Sequence, residues 1–262
     1  MREHLSEVYP AQNHPAMPSV LKYTLLVLLI IFFLPVFLHA ALWLSEERPA
    51  NWHSADWSSA GVLPDPRADR EASIRIMAAR TGGLKGIIAI HTWLVLKDAG
   101  AQSYRRYDVV GWGSPVRLDS QPPDGRWYSN DPVVIHEIRG AEAERLLPKV
   151  EAAIRNYRWS EQGTYRIWPG PNSNTFVATV LAAVPELGAE LPPTASGRDY
   201  PAGSWAGRTA SGGWTLSLGG VAGVTLGRRE GIAFNFLGLV AGIRFHKPAI
   251  FLPGFGVLGE RF

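Results

Sequence analysis

The residue types needed for acyl transfer occur in this 262-residue chain in the order His, Asp, Ser. Ser173 stands in GPNSNTF, residues 170–176, directly before the apolar run FVATVLAAV that begins at Phe176. His91 lies inside the apolar run GIIAIHTWLVLKD, and Asp108 inside SYRRYDVVGWG. A serine hydroxyl becomes a useful nucleophile only with a base in hydrogen-bond reach, and that base is oriented by a third group. The expected constellation is Ser173 as nucleophile, His91 as base and Asp108 as orienter. Asn172 and Asn174 beside the serine, and Trp112 and Trp168 in turn-rich segments, are the candidate binding residues. A plainer reading uses the same residues. Asn and Ser are preferred helix N-caps because their oxygens accept from free N–H groups of the first turn. His91 is then a satisfied core histidine, and Asp108 caps or ends a strand. The two readings share one geometry, since a helix N-terminus also stabilises an anionic nucleophile or oxyanion.

Other chemistries find little support. The chain has no cysteine, which excludes disulfides, thiolate metal sites and a cysteine nucleophile. Its histidines are scattered and form no HExxH-type pair, so no metal and no cofactor are expected. The GWG at 111–113 lacks the flanking pattern of a phosphate loop and reads as a bend or a close packing point. Ten tryptophans admit sugar stacking, but burial of large rings in core and interface accounts for them better; Trp112, Trp127 and Trp168 stand out because they lie in turns. A net charge of +3, with no basic run interleaved with aromatics, gives no reason to expect a nucleic-acid partner.

The elements that must position these residues follow from the patterning. TLLVLLIIFFLPVFLHAALWL, residues 24–44, is long enough to span a bilayer core and carries no formal charge. Tyr23 and Trp43 flank it at the depths where amphipathic rings settle. A cleaved signal peptide is the alternative, but the run is long and Leu38-His39-Ala40 is a poor cut site. Residues 1–22 are read as a cytoplasmic segment, on the bases Arg2 and Lys22, and residues 23–44 as a signal anchor in contact with the lipid bilayer. Residues 45–70 read as a linker and 71–262 as the globular domain. Within that domain, ASIRIMAART, GIIAIHTWLVLKD, SYRRYDVVGWGSPVRLD and VVIHEIRG read as strands, and AEAERLLPKVEAAIRNY as a helix interrupted or started by Pro148. SNTFVATVLAAV is a second, buried helix. From about 212 to 258 the chain is Gly-rich and alternating, with hairpins expected at Gly219-Gly220 and at 228–231. A second membrane helix over 231–245 is too short and too rich in glycine, and a β-meander on the core or close to the bilayer fits better. The fold class is α+β: a transmembrane helix, then a mainly antiparallel β domain with two or three packed helices.

VVGWG, DGRWYSNDP and GPNSNTF, with the Gly-rich tail, resemble an uncharacterised bacterial family of membrane-anchored proteins, over roughly residues 70–258. That resemblance implies a single-pass inner-membrane protein with its domain in the periplasm, and no assigned activity. A remote similarity points to the circularly permuted papain-like amidases and acyltransferases, in which a strand histidine precedes a cysteine at a helix start. His91 before Asn172-Ser173 has that order, with serine where the cysteine would stand. It implies a papain-like pocket acting on an amide or ester at the membrane face, as a hydrolase or acyl transferase, with a cell-envelope ligand as partner. A serine hydroxyl is a much weaker nucleophile than a thiolate. The substitution therefore equally implies a non-catalytic, membrane-tethered binding or structural protein that keeps the pocket.

Overall fold

A computed structural model describes residues 19–200, 205–209 and 212–260. Residues 1–18 of the expected cytoplasmic segment lie outside the described residues. The apolar run forms α1 (Ser19–Leu28) and α2 (Leu34–Leu44), joined by π-helical turns at Leu29–Phe33. Together they make one 26-residue helix, Ser19–Leu44, whose most apolar 18-residue window has a mean hydropathy of 2.8, long and apolar enough to cross a membrane. Pro35 has no N–H to give, and the widened turns stand directly before it.

The C-terminal end of this helix is built into the rest of the molecule. Trp43 is 6% exposed and donates from Nε1 to the Gly83 carbonyl at 3.2 Å. His39 Nδ1 lies 2.6 Å from the Ile87 carbonyl, and the Arg48 guanidinium sits 3.1 Å from the centre of the Trp43 ring. Gly86 is required here, because a Cβ at that position would stand 2.1 Å from the indole.

Five antiparallel strands form the first sheet: β1 (Ser73–Arg80), β2 (Ile90–Lys97), β3 (Arg105–Val109), β4 (Val116–Leu118) and β5 (Val133–Arg139), in the order β4-β3-β2-β1-β5. Side chains alternate across a strand, so the register sorts residues between two faces. One face carries Ile74, Ile76 and Ala78 with Leu94 and Leu96, and packs on α3 (Gly140–Arg155) and α4 (Ser173–Ala183) through Leu146, Val150, Phe176, Val177 and Val180. The helix α3 runs through Pro148 without ending there. The opposite face carries Met77 and Ala79 with Trp93 and Val95.

That second face is covered by the stretch expected as a linker. Trp57 packs edge-on against Trp127, with ring centres 5.1 Å apart. Ser59 bridges to Gly125, and the Asp124 carboxylate accepts from Ser59 Oγ at 2.6 Å and Val62 N–H at 2.8 Å. Residues 56–63 are thus a layer on the sheet.

The Gly-rich region is a seven-stranded meander of β6 (Ala206–Arg208), β7 (Trp214–Leu218), β8 (Ala222–Gly227), β9 (Gly231–Phe236), β10 (Leu239–Arg244), β11 (Ala249–Leu252) and β12 (Gly256–Val257), hydrogen-bonded in sequence order. The hairpins fall at Gly219-Gly220 and at 228–230, as the alternation predicts. Its register lines up Trp214, Leu226, Ile232, Ile243 and Ile250 on one face, with Leu216, Val224, Phe234 and Ala241 beside them. Thr215, Thr225, Ala233, Gly242 and Phe251 line up on the other. The first face touches the apolar helix, where Phe32 and Phe33 meet Phe236 edge-on and Leu28 and Val36 pack by Leu239 and Ala241.

Candidate functional site

The start of α4 follows from its capping residue. Asn172 is extended, and its Oδ1 accepts from the N–H groups of Asn174 at 3.0 Å and Thr175 at 3.1 Å. Its Nδ2 donates to the carbonyls of Ile167 and Ser196. The neighbouring backbone comes so close that only glycine fits at 197, where φ is +94° and a Cβ would stand 2.4 Å from Asn172 Nδ2. Asn174 is equally committed. Its Oδ1 accepts from Thr92 Oγ1 at 2.9 Å, and its Nδ2 donates to the carbonyls of Ile90 and Ser196. Both asparagines, expected as binding residues, spend their amide groups on fastening α4 to β2 and to the 194–197 turn. Trp112 and Trp168, the other two, are 57% and 45% exposed.

Ser173 is the first residue of α4 and is 4% exposed. Its hydroxyl has no hydrogen-bond partner among the described residues. His91 lies one position before Thr92 on β2, and it is Thr92 that points at α4. Alternation therefore sends the imidazole to the other face of the sheet. There it stacks on Trp127 with ring centres 3.6 Å apart and planes 6° from parallel. The structure thus brings His91 and Asp108 together and leaves Ser173 apart from them.

The His91 pair is tightly built. Nε2 lies 2.7 Å from Asp108 Oδ1, and Arg106 Nε donates to Oδ2 of the same carboxylate. Arg106 and Asp108 are two apart on β3, which puts them on one face. The Arg106 guanidinium also donates to the Pro122 carbonyl at 2.7 Å and lies 4.1 Å from the centre of the Trp93 ring. Burial pushes the Asp108 carboxyl up, but Arg106 and His91 outweigh it and hold it below the ordinary carboxylate value. Burial holds His91 below the ordinary imidazole value, against the pull of Asp108. The pair is therefore a neutral imidazole donating from Nε2 to an ionised carboxylate that Arg106 neutralises. Arg75 and Lys97 lie buried on the same face. Arg75 pairs with Glu137 at 2.6 Å, and Lys97 donates to the Glu71 carbonyl at 2.9 Å. This is a buried, charge-paired polar layer under an aromatic cover, in which Arg106 Nη2 alone of that guanidinium's nitrogens has no hydrogen-bond partner among the described residues. Arg106 and the stacking role of Trp127 escape sequence reasoning, although the Arg-x-Asp spacing within a strand places Arg106 beside Asp108.

An opening with a mixed apolar and charged lining lies elsewhere. A cleft of about 680 Å³ lies between α4 and the meander. Ala178, Thr179, Leu181 and Ala182 form one wall, and Thr215, Ser217, Thr225, Arg244 and Phe251 the other. Leu191, Pro192, Arg198 and Tyr200 close one side. The size suits a small-molecule ligand, and the lining mixes apolar walls with separated charges. Among the described residues no three His, Asp or Glu side chains are grouped to hold a metal.

Residues 71–200 match the model of a family described as Protein of unknown function (DUF3750). That stretch runs from β1 through α4 to Tyr200, and the meander lies beyond it. No curated protein and no solved structure matches the chain.

Proposed function

We propose that this chain, with its core matching an uncharacterised family over residues 71–200, is a membrane-tethered binding protein without hydrolytic activity. The observation that carries this reading is the cleft between α4 and the meander, about 680 Å³ and lined by both apolar and charged side chains. Its ligand is an amphipathic molecule of the cell envelope, whose chain lies against Leu181, Leu191 and Phe251 and whose polar group meets Arg198 or Arg244. The catalytic alternative needs the Ser173 hydroxyl within reach of His91, and the imidazole leaves the sheet on the face away from the one on which α4 and Ser173 pack. The helix Ser19–Leu44 is a retained, single-pass inner-membrane anchor. The domain after it lies on the periplasmic side, by the excess of bases before the span.

A diazirine-bearing fatty-acyl lipid in vesicles holding the full chain tests the binding reading. Crosslinks are expected on the peptide carrying Leu181–Ala182, on the α4 wall of the cleft, and Thr215→Trp, which fills the cleft, is expected to remove them. Crosslinks that persist unchanged in that variant would refute a cleft ligand. A serine-directed fluorophosphonate is expected to leave the protein unlabelled, and stoichiometric labelling of Ser173 would restore the hydrolase or acyl-transferase reading. A C-terminal reporter active only in the cytoplasm would reverse the assigned topology.

A further inference from the structure

The meander is built inside out. Along β7 the apolar residues Trp214, Leu216 and Leu218 are 53%, 54% and 58% exposed, while Ser217 between them is buried. The same inversion continues across the sheet. Leu226, Phe234, Ile243 and Ile250 stand exposed on that face, whereas Ala233 and Phe251 are buried on the other. Cross-strand register makes these residues neighbours, so they form one continuous apolar face across β7 to β11. Apolar patches of this extent on soluble proteins mark sites of contact with something else.

The occupant is indicated by what already touches the face. Phe32 and Phe33, in the middle of the apolar span, pack on Phe236, and Leu28 and Val36 pack beside Leu239 and Ala241. Residues in the middle of a membrane helix are surrounded by hydrocarbon wherever protein does not cover them. The strands that meet them lie at the same depth, and the exposed residues continue that contact sideways. Backbone exposed to lipid must have its hydrogen bonds satisfied internally. The strands from β7 to β11 are paired on both sides, and the edges are a three-residue and a two-residue strand. The turns at one end of the meander carry Arg228, Arg229, His246 and Lys247 together with the buried Glu230, while the opposite turns at 219–221 and 237–238 carry no charge. That polarity suits a face bounded by anionic headgroups at one end.

We propose that the outer face of the meander is a second lipid-contacting surface, embedded in the apolar layer of the bilayer beside the Ser19–Leu44 helix. The chain has no cysteine, so single-cysteine labelling is free of background. Leu216→Cys, Phe234→Cys and Ile243→Cys in the full chain would carry a nitrobenzoxadiazole label, with Trp112→Cys, exposed in the connection between β3 and β4, as reference. The proteins are reconstituted in vesicles of phosphatidylcholine and phosphatidylglycerol. The expected result is blue-shifted emission at the three meander positions, severalfold stronger quenching by acyl-chain doxyl lipids than by aqueous iodide, and the reverse order at position 112. Iodide quenching at the meander positions equal to that at 112 would overturn the proposal. So would shielding from both quenchers, because it would assign the face to a second copy or another protein. A melting curve for each labelled variant, matching the unlabelled parent, shows that the readout is taken on folded protein.

Discussion

At the scale of the residue, the motif GPNSNTF resolves into a division of labour between neighbours. Asn172 makes the cap and two further bonds, while the Ser173 hydroxyl makes none. Asn172→Ala is therefore expected to cost about 1–2 kcal/mol, and Ser173→Ala less than about 0.5 kcal/mol, since alanine is the better helix former. Chemical denaturation of both variants in the same detergent checks the order. The His91 pair carries a second expectation. Removing one partner of a buried ion pair leaves the other uncompensated, so Asp108→Ala is expected to cost on the order of 3–5 kcal/mol by stranding Arg106. Its pH dependence has a definite sign. Folded His91 is held below the ordinary value of 6.5, so the unfolded chain takes up the proton first. The corresponding stability is complete above that value and is lost as pH falls from 6.5 towards the folded pKa. Asp108, held below its ordinary 3.8, adds a second loss only below that pH. Melting curves from pH 8 to pH 5 should show a falling acid limb in the wild type and a shallower one in His91→Phe. The remaining slope belongs in part to His136, which burial also holds low.

At the scale of the element, α4 is the keystone of the first core. Phe176 is fully buried between the sheet and Tyr157, whose ring meets it edge-on at 5.1 Å. Phe176→Ala is expected to destabilise by about 3–5 kcal/mol, the cost of a large cavity in a packed core. The variant's chemical midpoint against wild type reads this directly. The elements themselves were legible in the sequence: alternation located the strands, and the Pro-Gly-Pro stop and the asparagine-serine pair located the start of α4. Periodicity states that two faces differ but not which way each turns. The order His91, Asp108, Ser173 was therefore readable, while the one-residue offset between His91 and Thr92, which sends the imidazole away from α4, was not. The same blindness hides the inversion of the meander, because WTLSL alternates identically whether its apolar side faces a core or a membrane. The stretch 45–70 misled for a different reason. Its contacts with the cluster on that face of the sheet run through single residues such as Trp57 and Leu63 and leave no period to detect.

At the scale of the whole molecule, the apolar helix and the globular part depend on one another. A cleaved signal sequence is removed without consequence for the mature fold, so it has no reason to share a buried surface with it. Here Trp43 fills the space that Gly86 leaves open and donates to the Gly83 carbonyl, and Phe32 covers part of the meander. Loss of the helix would uncover Gly86, Phe236, Leu239 and Ala241 together. The mature protein is accordingly expected to keep the helix Ser19–Leu44, and peptides from that span should be recovered by mass spectrometry with the purified protein. Membrane attachment and docking should also be separable. Gly86→Ala places a methyl group where the indole lies, and Trp43→Ala removes the indole. Both should leave the protein in the membrane fraction after an alkaline carbonate wash, because the apolar span is untouched. Gly86→Ala should lower the melting temperature, since its methyl clashes with Trp43. In the double variant Gly86→Ala, Trp43→Ala the cost should fall short of the sum of the two single costs by the share of the clash that the ring accounts for, while the share against the Thr81 carbonyl, 2.4 Å from the same Cβ, remains. Additive costs in that cycle, or a mature protein from which those peptides are missing, would show that the span is a passenger and not a part of the fold.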